Sequence, residues 1–455
     1  MNSGYYSVDW RQNEDTHKKA ATNAARIEDD SDAGWVDGDV GLEGQPRYEL
    51  VALRPDELDH KTITRWRTFE TKPERCNPYH TYGWFDAHRQ PTNRRRVSPC
   101  ALRDDMGFVG FFNVVVATHR LAFTVAEMPI FGRKVRMGMI AYPGLPIPPN
   151  PDAYRALVDG LFDALPEIDG LSFQAVPLTG SLYNFFHDEK TAAAARWFVD
   201  RKNVETQVRH LINDPDLIDR YEEHFSKKWI KRWRRDERQL GKLGEVRLQF
   251  FERPEDVEEF HHAARTVAAQ SWQSDVLGPR LRDEDHRWMA NLARNRLFLG
   301  TILWCGSTPI AFDYGYRHRD LYNTMETGYD RTYSPYSPGL LLLFKLVRHL
   351  YTDEMGVHVI DLEYGDAEYK RRFGTSSYEE TIVNVYRHRP SIRMWLELIA
   401  ELNRVYRWAV AILWQLGIKG RLRRLLQRKR VVETVAPPDT MPEAQPGPTD
   451  KPEAR

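Results

Sequence analysis

The run IDLEYGDAEYKRRFG, residues 360–374, joins a strand to a short helix through a Gly-Asp turn, and the neighbouring elements fall into order around it. Upstream, LLLLFKLVRHLYTDEMG (340–356) reads as a helix feeding this strand. FLGTILWC (298–305), TPIAFDYGYRH (308–318) and LYNTMETGYD (321–330) read as three consecutive strands, with a hairpin turn at Gly306-Ser307-Thr308. Before them stand the strand EVRLQFFE (245–252) and two helices. RPEDVEEFHHAARTVAAQSW (253–272) has Pro254 in its first turn, and DEDHRWMANLARNR (283–296) has an acidic first turn. ETIVNVYRH (380–388) closes the set as a final strand. The order β-α-α-β-β-β-α-β-α-β is not doubly wound. It predicts an α/β (α+β) fold whose mixed sheet combines an antiparallel meander with one crossover helix.

The chain starts this way twice. YELVALRP (48–55) reads as strand and DELDHKTITRWRTFE (56–70) as helix, followed by NPYHTYGWFDAHR (77–89). Strand-like runs lie at 98–103, 108–117 and 121–131. A Pro-rich loop (141–151), the helix DAYRALVDGLFDALPEI (152–168) and the strand GLSFQAV (170–176) complete the first set. At roughly 100–200 residues per domain, 455 residues suit two or three domains. The expected division is a polar, disordered tail over 1–45, a first domain over 46–205 and a second over 206–390. A basic amphipathic helical region over 391–432 and a Pro-rich, disordered tail over 433–455 follow.

Lys+Arg and Asp+Glu both number 65, a balance that argues against wholesale nucleic-acid binding and against DNA as a partner. Cys76, Cys100 and Cys305 are too few and too scattered for a disulfide framework or a zinc site. His261-His262 sit side by side on a helix and point apart, so no metal is expected. The N-terminus has no apolar signal core, and no stretch reaches the ~18–20 apolar residues of a membrane span. A cytoplasmic protein is the expectation.

Residues 245–388 resemble the GNAT acyltransferase fold. More narrowly they resemble the acetyltransferase-like domain of CelD-type proteins of bacterial cellulose and exopolysaccharide synthesis. That group is related to the Fem-type aminoacyltransferases, which carry two GNAT-like domains in tandem. FSKKWIKRWRRDERQLGKLGEV (225–246), GYD with SPYSPGLLL (328–342) and the run 360–374 carry the likeness, and NPYHTYGWF (77–85) extends it more weakly over 46–205. The resemblance implies tandem GNAT-like domains, the first a degenerate copy.

It also implies a donor site for acetyl-CoA or another acyl-CoA. The pyrophosphate would rest on backbone amides at the start of the crossover helix, at Ser337, Pro338, Gly339 and Leu340. This loop keeps one glycine of the family's Arg/Gln-x-x-Gly-x-Gly/Ala pattern, and the bland alternative is a Pro-started helix. Glu326 is the candidate general base, with Asp313 and Asp330 as rivals; otherwise it is a salt-bridged strand glutamate. Tyr369 is the candidate acid for the leaving thiolate, or else a packing ring. Asp361 and Glu363 share one strand face and could orient a saccharide or amine acceptor. Asp366 binds substrate or, preferably, caps the helix from Ala367, and Lys370 holds phosphate or pairs with a carboxylate. Tyr79 and Trp84, with Tyr82, line the acceptor cleft or belong to the core.

KKWIKRWRRDER (227–238) places Trp229, Ile230 and Trp233 on one helical face among seven basic residues. It reads as a solvated face or a site for an anionic substrate or membrane surface. WAVAILWQLGI (408–418), with the basic residues through Arg430, reads as a helix packed against the first domain or a partner chain, or lying on an anionic inner leaflet through 408–430. The function expected is acyl transfer from acyl-CoA to N or O of an envelope or exopolysaccharide component or its precursor. The alternatives are a tRNA-dependent Fem-like aminoacyl transferase and a non-catalytic accessory protein of polysaccharide synthesis.

Overall fold

The apolar runs of both halves become strands of one sheet. In this computed structural model residues 47–415 are described, apart from 57, 72–76, 91–94, 126–127, 142–143, 189–194, 218–219, 272–280 and 353. The two tails, Cys76 and the basic segment beyond Gln415 lie outside the described residues. The first half runs β1 (Glu49–Ala52), α1 (His60–Glu70), α2 (Tyr82–His88), β2 (Arg95–Asp104), β3 (Gly107–Val125), β4 (Met128–Ala141), α3 (Pro151–Ala164), β5 (Gly170–Pro177), α4 (Ser181–His187), β6 (Trp197–Val199) and β7 (Thr206–Ile212). After α5 (Lys227–Leu240), the second half repeats that order. It runs β8 (Val246–Phe251), α6 (Val257–Ala269), α7 (Asp285–Arg294), β9 (Phe298–Cys305), β10 (Thr308–His318), β11 (Leu321–Tyr329), α8 (Pro338–Leu350), β12 (Val359–Tyr364), α9 (Glu368–Phe373) and β13 (Ser376–Arg387). A long helix, α10 (Pro390–Gln415), follows.

Among the described residues the sheet has thirteen strands in the order β1-β2-β3-β4-β5-β13-β7-β12-β11-β10-β9-β8, with β6 on β13. The two halves therefore exchange their last strands. β7, which ends the first half, lies antiparallel to β12 of the second, and β13, which ends the second, lies antiparallel to β5 of the first. The expected boundary at 205/206 falls just before the exchanged strand β7. Each half contains one parallel pair across its crossover helix, β4 with β5 and β11 with β12. The duplication reaches single residues. Ala175 on β5 and Glu363 on β12 both adopt left-handed φ, 60° and 63°, where the register against β13 or β7 slips.

The strand expected over 121–131 is corrected. β3 runs to Val125 and β4 begins at Met128, antiparallel to it, so that stretch belongs to two strands. Both strands carry polar alternation there, which hid the break.

The cores follow from the layers. One cluster packs α3 and α4 on the first half's sheet around Leu157, Leu161 and Phe173. A second joins the halves, bringing Trp66, Trp84, Phe85 and Phe111 of the first against Phe260, Phe298 and Tyr314 of the second. A third packs α5 and α8 on β9–β12, with Trp233 buried and Trp229 and Ile230 beside it, so the apolar face expected on 227–238 is a packing face. Trp66 is 1% exposed and donates from Nε1 to the His80 carbonyl at 2.9 Å. Burying such a side chain stabilises by ~1.5–3 kcal/mol, and the hydrogen bond spares its N–H an unpaired burial. Cys100 and Cys305 are buried, as expected of small hydrophobes.

By contact density residues up to Glu397 form one unit, and the segment from Leu398 is described by itself. There α10 continues as helix to Gln415, with Val405 and Trp408 exposed.

His80 is fully buried; its Nε2 lies 2.8 Å from the Ala141 carbonyl and its Nδ1 accepts from the Asn113 amide. That pairing fixes a neutral ring with the proton on Nε2, and burial pulls its pKa down to about 4. The unfolded chain binds this proton first, so stability is complete above the ordinary histidine value and declines as pH falls from there towards 4. Urea midpoints should therefore drop between pH 6.5 and 4.5, His80 accounting for up to about 3 kcal/mol across the full window. A flat profile would show the imidazole to be charged when folded.

Candidate functional site

The site forms where the second half's parallel pair parts. β11 pairs with β12 only through Leu321–Asn323 against Val359–Asp361. On its other side the register against β10 slips between Tyr314 and Gly315, making Met325 an extra, bulged residue. A bulge bends its strand, and here it turns β11 away from β12.

Two carboxylate–tyrosine pairs flank the opening. On one side Tyr314 donates to Glu326 Oε2 at 3.0 Å; burial first, then the Glu326 charge, holds this phenol well above its ordinary range. Tyr322 donates to Asp313 Oδ1 at 2.5 Å. Asp313 is 1% exposed, and burial pushes its carboxyl up to about 7 against the lowering effect of hydrogen bonds from Tyr322 and Thr327. Asp313 and Tyr314 are consecutive on β10, so they face opposite sides of the sheet. Tyr314 belongs to the core between the halves, whereas Tyr369 packs on the α5/α8 core. The Tyr369 phenol is pushed up to about 12, by burial and then by the Asp313 charge. Glu326 and Tyr369 thus lie on opposite faces of the sheet.

The mouth on the α8 side is short of donors. Ser337 is left-handed (φ 52°), its N–H donates to the Ser334 carbonyl, and Pro338 has no N–H. Leu340 N–H returns to the Ser337 carbonyl, which leaves Gly339 as the available amide of the first turn among the described residues. A Cβ on Gly339 would stand 3.3 Å from the Tyr329 ring, so a side chain there narrows the mouth. The first half differs. Its loop before α3 is packed down on β3, with Leu145 and Ile147 buried and the Pro146 carbonyl oxygen 1.6 Å from where a Cβ on Gly110 would stand. In the second half Arg331, Thr332, Ser334 and Pro335 are exposed.

Behind β12 lies a buried ionic cluster that the sequence reading missed. Arg209 of β7 donates to Glu380 (2.6 and 3.2 Å), Asp361 (2.7 Å) and Glu363 (3.3 Å). Burial opposes its charge, but the three carboxylates outweigh that and hold the guanidinium protonated well above its usual range. The available signal was an arginine within the apolar alternation of TQVRHLI. Asp361 is used up, since its other oxygen accepts from Glu363 N–H at 2.8 Å. Lys370 donates to the carbonyls of Glu363 (3.0 Å) and Tyr364 (2.5 Å), and burial pulls its pKa down to about 8. Asp366 does not cap α9. The N-cap is Ala367 without a side-chain bond, and Asp366 pairs with His210 (3.2 Å) and Arg371 (2.6 Å) instead.

Tyr79 reaches this region from the first half. Asn77 caps the turn Pro78–His80 and Thr81 caps α2, a double cap that fixes the segment. The Tyr79 hydroxyl donates to Met325 Sδ at 3.0 Å, and its ring stands edge-on to Tyr316 at 5.2 Å. Burial, then the Glu363 charge, keeps this phenol protonated. Trp84 is 3% exposed and belongs to the core, edge-on to Tyr79 at 5.7 Å. Of the expected acceptor residues, the fold gathers Tyr79, Asp361, Glu363 and Lys370 near the opening, with Asp366 at its edge. Among the described residues no group of His, Cys, Asp and Glu is arranged to hold a metal ion.

Residues 227–371 match the family described as acetyltransferase (GNAT) domain. No curated protein matches the chain. Among solved structures, FemX is similar over 73% of this chain and 96% of its own, with a TM-score of 0.50 and 10% sequence identity. A tandem GNAT protein from the clavulanic acid biosynthesis pathway is similar over 75% of this chain and 99% of its own, with a TM-score of 0.44 and 12% identity. The second half thus contains a GNAT domain, within a mixed α/β fold that FemX shares.

Replacing Arg209 with Leu strands three carboxylates in a buried site. Urea unfolding at pH 7 should show a loss of about 3–5 kcal/mol. A loss below about 1 kcal/mol would mean that the carboxylates find other partners.

Proposed function

We propose that this protein is an acyl-CoA-dependent acyltransferase acting on an amine or hydroxyl of an envelope or exopolysaccharide component or its precursor, as in the CelD-type group that residues 360–374 resemble. The observation that carries the reading is the parted β11/β12 pair, with Glu326 and Tyr369 on opposite faces of its sheet. In this reading the donor lies on the α8 side, with its pyrophosphate at the Gly339 amide and the helix N-terminus. The acceptor approaches between the halves, past Tyr79 and Glu363. Its N or O forms a bond to the thioester carbonyl carbon, and the C–S bond breaks. The acceptor proton passes to Glu326, and Tyr369 gives its own to the departing thiolate. A phenol at about 12 is protonated at neutral pH, as an acid must be.

Glu363 suits acceptor contact. Its side chain is 23% exposed, against 12% for Asp361, and its left-handed backbone stores strain of the kind that functional sites retain. The transfer from tRNA rests on α5, where Arg232 and Arg235 share Asp236 and Arg234 pairs with Glu222, so three of its seven basic residues are held in ion pairs. A cytoplasmic place beside the inner membrane fits the exposed Val405 and Trp408 of α10, and no helix among the described residues is long and apolar enough to cross a membrane.

Calorimetric titration with acetyl-CoA and longer acyl-CoAs tests the donor site. Binding should occur and should weaken at least tenfold in Gly339→Phe. With a donor identified, Tyr369→Phe should lower kcat by about 10²-fold and leave donor affinity unchanged. No binding of any acyl-CoA at millimolar concentration would remove the acyltransferase reading and favour the tRNA-dependent or accessory role.

A further inference from the structure

A second cleft, of about 620 Å³, opens between the halves at the end of β10, and five arginines line it: Arg67, Arg294, Arg296, Arg317 and Arg319. Among the described residues the lining carboxylates are Glu70 and Glu354; with Glu252, which pairs with Arg317 from outside the lining, three negative charges meet five positive ones, a surplus of two. Glu70 is already engaged by the Tyr82 amide at 2.6 Å. Arg317 pairs with Glu252 at 3.0 Å, Arg319 donates to the Glu70 carbonyl at 3.2 Å and Arg67 lies over the Tyr82 ring. Arg296 is exposed, with no side-chain partner among the described residues.

Two of these arginines occupy positions that favour glycine. Arg296 follows α7 with φ 57°, closing the helix through its N–H to the Ala293 carbonyl and Leu297 N–H to the Leu292 carbonyl. Glycine is the usual residue at such a helix end, because a Cβ is strained there. Arg319 has φ 54° in the tight turn between the paired residues His318 and Leu321, where Asn or Gly is preferred. At both places the chain accepts backbone strain and keeps a guanidinium in the same cleft, a pattern that marks functional sites.

We propose that this cleft binds a ligand through its diphosphate group. Guanidinium forks match phosphate oxygens two at a time, and several together suit two linked phosphates better than one. Among the described residues no Trp, Tyr or Phe lines the cleft, so they offer no stacking platform for nucleic-acid bases, and its volume is that of a small-ligand site. Thr81 and Gly83 form part of its wall, two and four residues from Tyr79. The binding does not depend on the acyl-transfer reading.

The test is calorimetric titration of the full chain with inorganic pyrophosphate, orthophosphate, a nucleoside-diphosphate sugar and a polyprenyl diphosphate in micelles. Pyrophosphate should bind more tightly than orthophosphate, and whichever larger ligand exceeds pyrophosphate identifies the source of the group. Arg296→Gly and Arg319→Gly each remove a guanidinium and relax a turn. Each should weaken pyrophosphate binding about tenfold while the melting temperature stays level or rises and acetyl-CoA binding is unchanged, a combination that a structural role would not produce. Equal affinity for orthophosphate and pyrophosphate, undiminished affinity in the double variant, or a tRNA that displaces pyrophosphate and binds more tightly than every diphosphate would overturn the proposal. Intact pyrophosphate binding without acetyl-CoA binding would remove the acyl-transfer reading and leave this site standing.

Discussion

A guanidinium buried among three carboxylates holds the middle of this sheet. Arg209 stands on β7, the strand the first half lends to the second, and it binds Asp361 and Glu363 on β12 and Glu380 on β13. These three strands are the seam of the strand exchange. Backbone pairing alone leaves register weakly specified wherever side chains on both faces are interchangeable. A charge that is costly to bury unpaired specifies it, because a slip of one residue would point Arg209 to the other face and leave all four ions without partners.

The effects spread outward from that seam. With β12 fixed, Glu363 takes its left-handed bulge, and Lys370 clasps the carbonyls of Glu363 and Tyr364. That clasp sets the start of α9 and hence the place of Tyr369. Farther along, β11 bends at Met325 and leaves β12, and the Tyr79 hydroxyl from the first half meets the bulged sulfur. The opening is therefore a joint product of the two halves, although only the second retains an exposed loop before its crossover helix. In the first half the described part of that loop covers β3, so the two crossover helices start in different surroundings.

The positions of the buried acids matter as much as their identity. Asp313 and Tyr314 are neighbours in sequence, yet each joins a different core, so their partners Tyr322 and Glu326 belong to different faces of one sheet. A hydrogen-bonded carboxylate–phenol pair thus stands on each face of the sheet, separated by the strands themselves.

Much of the fold was legible in the sequence. Strands β9, β10 and β11 follow from alternation and the Gly306 turn, and the tandem order follows from two similar runs of elements, because local periodicity reflects which face of each element is buried. The short resemblance at 360–374 was enough to direct attention to Asp361, Glu363, Tyr369 and Lys370. Local pattern had no access to the strand exchange, since pairing between residues 209, 361 and 380 is a matter of long-range contact. Nor could it reveal that Asp361 is consumed internally, that Asp366 turns to His210 and Arg371 rather than to its own helix, or that arginines from residues 67 to 319 converge in one cleft. Residue types and their spacing along the chain determined which chemistry was present. Only the folded structure decided which groups meet, because desolvation and charge pairing act through space across segments far apart in sequence.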